Sequence, residues 1–249
     1  MTNTKGITMP QIDDAELFGN AEDQRAYEEF CANQEAVEKF TLDKPALICR
    51  WRMSNKKVPM LNRHIRALSE RLVQGEPLTH NMLSWAKQHV EWSLAEGDYT
   101  ARDGVLMLVI DVNGNAAMTV GEYEPLADTS AKALRARSAE ARSEADETGV
   151  APELLAAVNN GELAFVAPAD ECLCGTATLI EQLAQTKGIP VTRVDIPAQL
   201  KGALFLVSDE HGVVPATETD AAEADAAEAD AATVAFFVDG YEKLRARRS

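Results

Sequence analysis

Basic side chains are in short supply. The 249-residue chain carries 24 Lys and Arg against 40 Asp and Glu, a formal net charge of -16. Nucleic-acid backbones are held by cations that neutralise phosphates, so this balance argues against a nucleic-acid binder. It disfavours an anionic membrane surface for the same reason. Long apolar runs are also lacking: none approaches the roughly 18 residues that a membrane-spanning helix needs. Met1 to Asp14 is polar, without the apolar stretch of a secretory signal, which points to a cytoplasmic protein. Cysteines are few. Cys31, Cys49, Cys172 and Cys174 are too scattered for a disulfide framework. Cys172 and Cys174 are one residue apart, closer than common zinc pairs, and no other Cys or His pair completes a metal site by spacing.

What is present is an ordinary globular composition, 46% hydrophobic and 26% charged, in a chain long enough for one large domain or two small ones. Three stretches differ in character: a polar segment over 1–44, with one helix around Gln24 to Phe40, then residues 45–127 and residues 128–249. In the second stretch Ala46 to Met53 reads as a strand. A helix is expected from Asn62 to Gln74, ended by Gly75 and Pro77. Thr79 caps the next helix, with Leu83, Ala86, Val90 and Leu94 as its apolar stripe. Trp85 and Trp92 are expected at the core edge. Val105 to Ile110 and Ala116 to Tyr123 form a hairpin around Asn113-Gly114, since both turn positions tolerate positive φ.

The third stretch opens on an alanine-rich helix, Ser130 to Glu147, whose only large apolar residue is Leu134. A second hairpin follows, Leu154 to Val158 and Glu162 to Val166, around Asn160-Gly161. Then come a helix over Thr176 to Lys187, strands at Val191 to Ile196 and Leu204 to Ser208, and a short extended piece over Gly212 to Ala216. Residues 220–232 repeat Ala, Asp and Glu with no larger apolar side chain. They read as an acidic surface insertion, helical at most transiently. Thr233 to Arg248 closes the chain as an amphipathic helix with a basic tip.

The order of these elements resembles the class IV aminotransferases, the branched-chain and D-amino-acid type, whose fold aminodeoxychorismate lyase shares. Asn160 to Asp220 carries most of the likeness. Pro168, Leu173, Gly175, Gly188, Ile189, Pro190, Val191 and Pro215 fall in the family's register, and Val58 to Leu72 resembles its strand running into a histidine-led helix. The resemblance implies a two-lobed α/β (α+β) fold, reduced in size. It also implies a homodimer, pyridoxal phosphate (PLP) as cofactor and a small amino or keto acid as substrate.

Such a site needs cations, hydroxyls and a helix N-terminus for the cofactor phosphate, a lysine for its aldehyde and a carboxylate for its ring nitrogen. By resemblance Lys132 is the Schiff-base candidate, and Arg66, Gly175, Thr176 and Ser208 are the cofactor-binding candidates. Read without the resemblance, Lys132 is an exposed helical lysine. The family pattern is broken at several points. Ala67 stands where the phosphate-gripping arginine belongs, Asp209 and Glu210 bring repelling charge to the phosphate loop, and the ring-nitrogen carboxylate has no counterpart, Glu153 being the nearest acid. Two functions therefore stand side by side: a PLP-dependent aminotransferase or lyase, and a degenerate, non-catalytic relative that keeps the fold as an interaction or regulatory protein. A third is a different small-molecule site in the same cleft, using Arg66, His211 and Glu210.

Overall fold

The computed structural model describes residues 25, 27–29, 42–96, 99–195, 200–217 and 224–246. The chain divides into two compact units, Met1–Thr41 and Leu42–Ser249. Most of the helix expected over Gln24 to Phe40 lies outside the described residues; Arg25 and residues 27–29 are helical.

The larger unit begins with strand β1, Pro45–Met53, on which Leu47, Cys49, Trp51 and Met53 alternate inward. It pairs antiparallel with β4, Gly104–Asp111, and β4 pairs with β5, Ala116–Gly121, in the order β1-β4-β5. The β4–β5 connection is the expected hairpin loop around Asn113-Gly114: Ile110 pairs with Ala116, leaving five residues between them. Asp111 organises this loop as a fully buried carboxylate that accepts the N–H groups of Asp43, Asn113 and Asn115 at 2.8–3.0 Å.

Helix α1, Leu61–Ser69, buries His64, Ala67 and Leu68. It stops five residues short of the expected end. Leu72–Val73 (β2) instead folds back on Glu76–Pro77 (β3) around Gln74-Gly75, both with positive φ. Helix α2, His80–Glu96, is capped by Thr79, whose hydroxyl accepts the Met82 N–H. It buries Trp85, Ala86, Val90 and Leu94, but Trp92 is 48% exposed and hydrogen-bonds Glu96 rather than packing at the core edge.

The second lobe is a five-stranded sheet in the order β10-β9-β6-β7-β8: β6 is Glu153–Asn159, β7 Glu162–Val166, β8 Val191–Val194, β9 Ala203–Ser208 and β10 Gly212–Pro215. The β6–β7 hairpin turns at Asn160-Gly161 as expected, with a connection one residue shorter than the strand bounds implied. Asn159 pairs with Glu162, and Asn160 and Gly161 have φ of 51° and 76°. β7 and β8 run parallel, joined through helix α4, Gly175–Thr186.

The two faces of this sheet are filled from different helices. Leu154, Ala156, Val158, Phe165 and Phe205 pack beneath Leu179 and Ile180 of α4 and Phe237 of α5, Ala224–Arg245. Leu155, Ala157, Leu204 and Leu206 point the other way, onto Leu134 of α3, Ala131–Thr148. Beyond Leu134, α3 makes its buried contacts through small residues, Ser138, Ala141 and Ala145, which lets it lie close to the strands. Residues 220–223 of the acidic tract lie outside the description. From Ala224 onward the tract is part of α5, contrary to the expected insertion. The reason is Asp230: it is 3% exposed, and its two carboxylate oxygens accept the Asn160 and Gly161 N–H groups at 2.9 Å each. The tract helps build the second lobe despite lacking large apolar side chains.

Candidate functional site

Helix α4 starts at Gly175 with no side-chain cap on its N-cap residue, Cys174. Its first N–H groups therefore need another acceptor, and the positive end of the helix favours an anion. That anion comes from the protein. Asp209, in the turn between β9 and β10, accepts the Thr176 N–H on Oδ1 at 2.8 Å. Its Oδ2 lies 3.3 Å from Nδ1 of His64, with both side chains 5% exposed or less. His64 comes from α1 and stacks on Trp51, ring centroids 5.4 Å apart. Burial pushes the Asp209 carboxyl up, but the His64 charge and the Thr176 N–H outweigh it and hold the carboxyl below its usual value. Position 175 must be glycine here, because a Cβ would sit 2.5 Å from His64 Nδ1.

The cavity left beside this arrangement measures about 10 Å³ and is lined by Cys49, Trp51, His64, Arg71 and Asp209, among others. That is room for about one water, whereas small-molecule sites run to roughly 300–1,000 Å³. Arg71, 4% exposed, is paired with Glu144 at 3.0 Å. Burial pushes the Cys49 thiol up to about 11 and raises Cys174 as well, so both are inert apolar packing.

A second polar group lies on the same turn. Glu153, at the start of β6, accepts from Arg137 Nη2 at 2.9 Å and from the Ser208 hydroxyl at 2.9 Å, with Arg137 Nε 2.5 Å from its other oxygen. Ser208 also accepts the N–H groups of Glu210 and His211. His211 Nε2 is 3.0 Å from Arg137 Nη2. A guanidinium can only donate, so Nε2 accepts and the imidazole proton sits on Nδ1, 3.4 Å from the Tyr123 hydroxyl. Burial, then Arg137, Arg52 and Arg50, lowers the His211 pKa to about 4. The imidazole is neutral near pH 7.

The candidate residues are thus dispersed or already engaged. Lys132 is exposed in the first turn of α3, beside Asp128. The first half of α3 covers the opposite face of the five-stranded sheet from α4, so the structure does not bring Lys132 together with Gly175 and Thr176. Arg66 is exposed on α1, and Ala67 takes the buried position. Gly175 and Thr176 do lie together at the helix N-terminus, occupied by His64 and Asp209. Ser208 is fully buried and its hydroxyl is committed to Glu153. Arg71, Arg137 and Tyr123 gave no signal in the sequence, because each acts through partners at least 16 positions away. Among the described residues, no group of three or more His, Cys, Asp or Glu is placed to hold a metal ion, and no helix is long and apolar enough to cross a membrane.

The architecture has clear counterparts among solved structures. One, from Thermotoga maritima and assigned as a branched-chain amino acid aminotransferase, superposes with a TM-score of 0.54 at 15% identity, over 85% of this chain and 92% of that one. A fold IV transaminase from Curtobacterium pusillum matches with a TM-score of 0.51 at 16% identity, over 81% and 86% of the two chains. The chain has the class IV aminotransferase fold. At these identities the likeness is one of fold. No protein-family model and no curated protein sequence matches the chain. The sequence expectation of a two-lobed α/β class IV fold therefore stands.

The class IV fold implies PLP, and the residues present do not fit it. Asp209 already takes the Thr176 N–H at the α4 N-terminus, and a phosphate dianion there would face a buried carboxylate of like charge. The acid nearest the pyridine position in sequence, Glu153, is held by Arg137 and Ser208.

Proposed function

We propose that this chain is a non-catalytic relative of the class IV aminotransferases. It keeps the fold as an interaction or regulatory protein and holds no PLP. The observation that carries this reading is Asp209: its carboxylate takes the Thr176 N–H at the helix N-terminus where a cofactor phosphate would be bound. The exposure of Lys132 supports it, because a Schiff-base lysine works from a site that excludes water. A homodimer goes with this reading, by analogy with the fold. Light scattering at micromolar concentration checks it, a monomer counting against.

The competing reading is a working PLP-dependent aminotransferase or lyase acting on a small amino or keto acid. It requires Asp209 to leave its partners and Lys132 to turn inward. The two readings separate in one experiment. Purified protein is incubated with PLP, dialysed, scanned in the visible and reduced with borohydride. The expected result is no retained absorbance and no adduct. A stable adduct on Lys132, absent in Lys132→Ala, would overturn the proposal.

A further inference from the structure

The far end of α2 carries charge of the sign a helix C-terminus disfavours. Carbonyl groups make that end negative, so cations stabilise it. The last turn of α2 holds no basic residue and closes on Glu96, with Glu91 shortly before it. Lys87 stands at i,i+4 spacing from Glu91, yet among the described residues the two are beyond ion-pair distance. Glu96 accepts the Trp92 Nε1–H at 3.0 Å and has no cation beside it among the described residues. Trp92 is the one large apolar side chain exposed among the described residues. The uncompensated carboxylates and the solvated indole adjoin.

Glu91, Trp92, Ala95 and Glu96 are all exposed, and at about 100° per residue they share one face of the helix. By this spacing Glu96 and His89 fall on one side of Trp92. Glu96 bonds the indole nitrogen, and the His89 ring lies 6.3 Å from the indole, tilted by 47°. His89 in turn stacks on the buried Trp85 at 4.5 Å, so the indole is held from a ring stack rooted in the core. Glu91 and Ala95 fall on the other side. Ala95 is only a methyl, so on that side the way from the indole to the Glu91 carboxylate is open. An aromatic face beside a carboxylate over a small floor suits a guanidinium. The ring attracts the cation, and the carboxylate accepts its N–H groups.

We propose that this end of α2 is the docking surface for a basic segment of a partner protein, one arginine of which stacks on Trp92 and pairs with Glu91. Charge complementarity selects that occupant. The patch offers two carboxylates at the negative end of a helix and no cation in the last turn, on a chain whose net charge of -16 draws basic partners from a distance. Arginine fits better than lysine, because its planar group can lie on the indole while its N–H groups reach the carboxylate. The proposal rests on the reading of this chain as an interaction protein and gives that reading a partner chemistry. The two fail separately: a PLP adduct on Lys132 would sink the non-catalytic reading, whereas the outcomes below bear on this surface alone.

The test is a fluorescence-anisotropy titration of a labelled, end-blocked peptide of alternating arginine and glycine with the full chain, at constant ionic strength. Saturable binding is expected, and a peptide with citrulline in place of arginine should not bind. Trp92→Leu keeps an apolar side chain but removes the aromatic face, and should weaken binding roughly three- to tenfold. Glu91→Gln should weaken it about two- to threefold. Glu228→Gln, an exposed acid on α5, should leave it unchanged. In the unaltered protein the Trp92 indole N–H resonance should move with saturation while that of the buried Trp51 holds, a readout that needs no variant. Binding indifferent to Trp92→Leu, or weakened as much by Glu228→Gln as by Glu91→Gln, would reduce the effect to diffuse attraction by an acidic chain and overturn the assignment. Equal binding of the citrulline peptide would do the same by pointing to an apolar occupant. So would a dimer that Trp92→Leu turns into a monomer by light scattering, since the patch would then belong to a second copy.

Discussion

His64 and Asp209 face each other across 3.3 Å, in a space sealed by Trp51 and the start of α4. Removing one partner from a buried pair leaves the other uncompensated, so Asp209→Ala should cost about 3–5 kcal/mol of unfolding free energy near neutral pH. The pH dependence has a definite sign. The folded carboxyl lies below its unfolded value, so its contribution is complete above the unfolded value and is lost as pH falls through the folded one. The stability gap between the unaltered protein and Asp209→Ala should therefore narrow below about pH 4, read by urea unfolding across pH. A cost under about 1 kcal/mol near neutrality would mean that solvent reaches the pair.

Gly175→Ala tests the same junction from the backbone side. The added methyl would lie 2.5 Å from His64 Nδ1 and 3.1 Å from the His64 backbone nitrogen, so α1 and α4 must part. A loss of roughly 1–3 kcal/mol is expected from overpacking. Ala at an uncrowded helix position ordinarily stabilises relative to Gly, so an unchanged or raised melting temperature refutes the close approach.

His211 should resist protonation. With its pKa near 4, the imidazole stays neutral through the range in which an exposed histidine titrates. The folded value lies below the unfolded one, so its contribution to stability is complete above about pH 6.5 and declines as pH falls toward the folded value. A ¹⁵N titration of the imidazoles checks this; a His211 midpoint above 6 contradicts the arginine surroundings.

The sequence made some of this legible and hid the rest for physical reasons. Asn160-Gly161 was readable because a two-residue turn with both φ positive is a local demand on residue type. The hairpin around Asn113-Gly114 was readable too, but not the buried Asp111 whose side chain gathers three N–H groups into its five-residue loop. Helix α3 was visible in its alanines, yet nothing local said which sheet face it would cover, and that decides where Lys132 goes. Asp209 could be read as hostile to phosphate by charge alone. Its engagement with Thr176, 33 positions away, needed the fold.

Asp230→Ala should show that the acidic tract is structural. It withdraws both acceptors from the Asn160 and Gly161 N–H groups, a loss of about 1–3 kcal/mol. For a chain of this size each kcal/mol lowers the melting temperature by roughly 2–4 °C. Glu228→Ala, on the exposed side of α5, is the control and should stay within about 0.5 kcal/mol.

The reach of Asp230 to a turn 70 positions earlier also orders events during synthesis. The central pair of the second sheet joins β6 to β9, Val158 meeting Ala203, and the tip of the β6–β7 hairpin waits longer still, for Asp230, 70 positions after Asn160. Contacts this distant in sequence form slowly, because the intervening loop must close before they are rewarded. On the ribosome the three-stranded sheet β1-β4-β5 and helices α1 and α2 can assemble while the apolar strands β6 and β9 are still unpaired. The second lobe is finished only when its last helix emerges, and a nascent chain arrested before residue 224 would present Phe165 and Phe205 to whatever holdase is at hand.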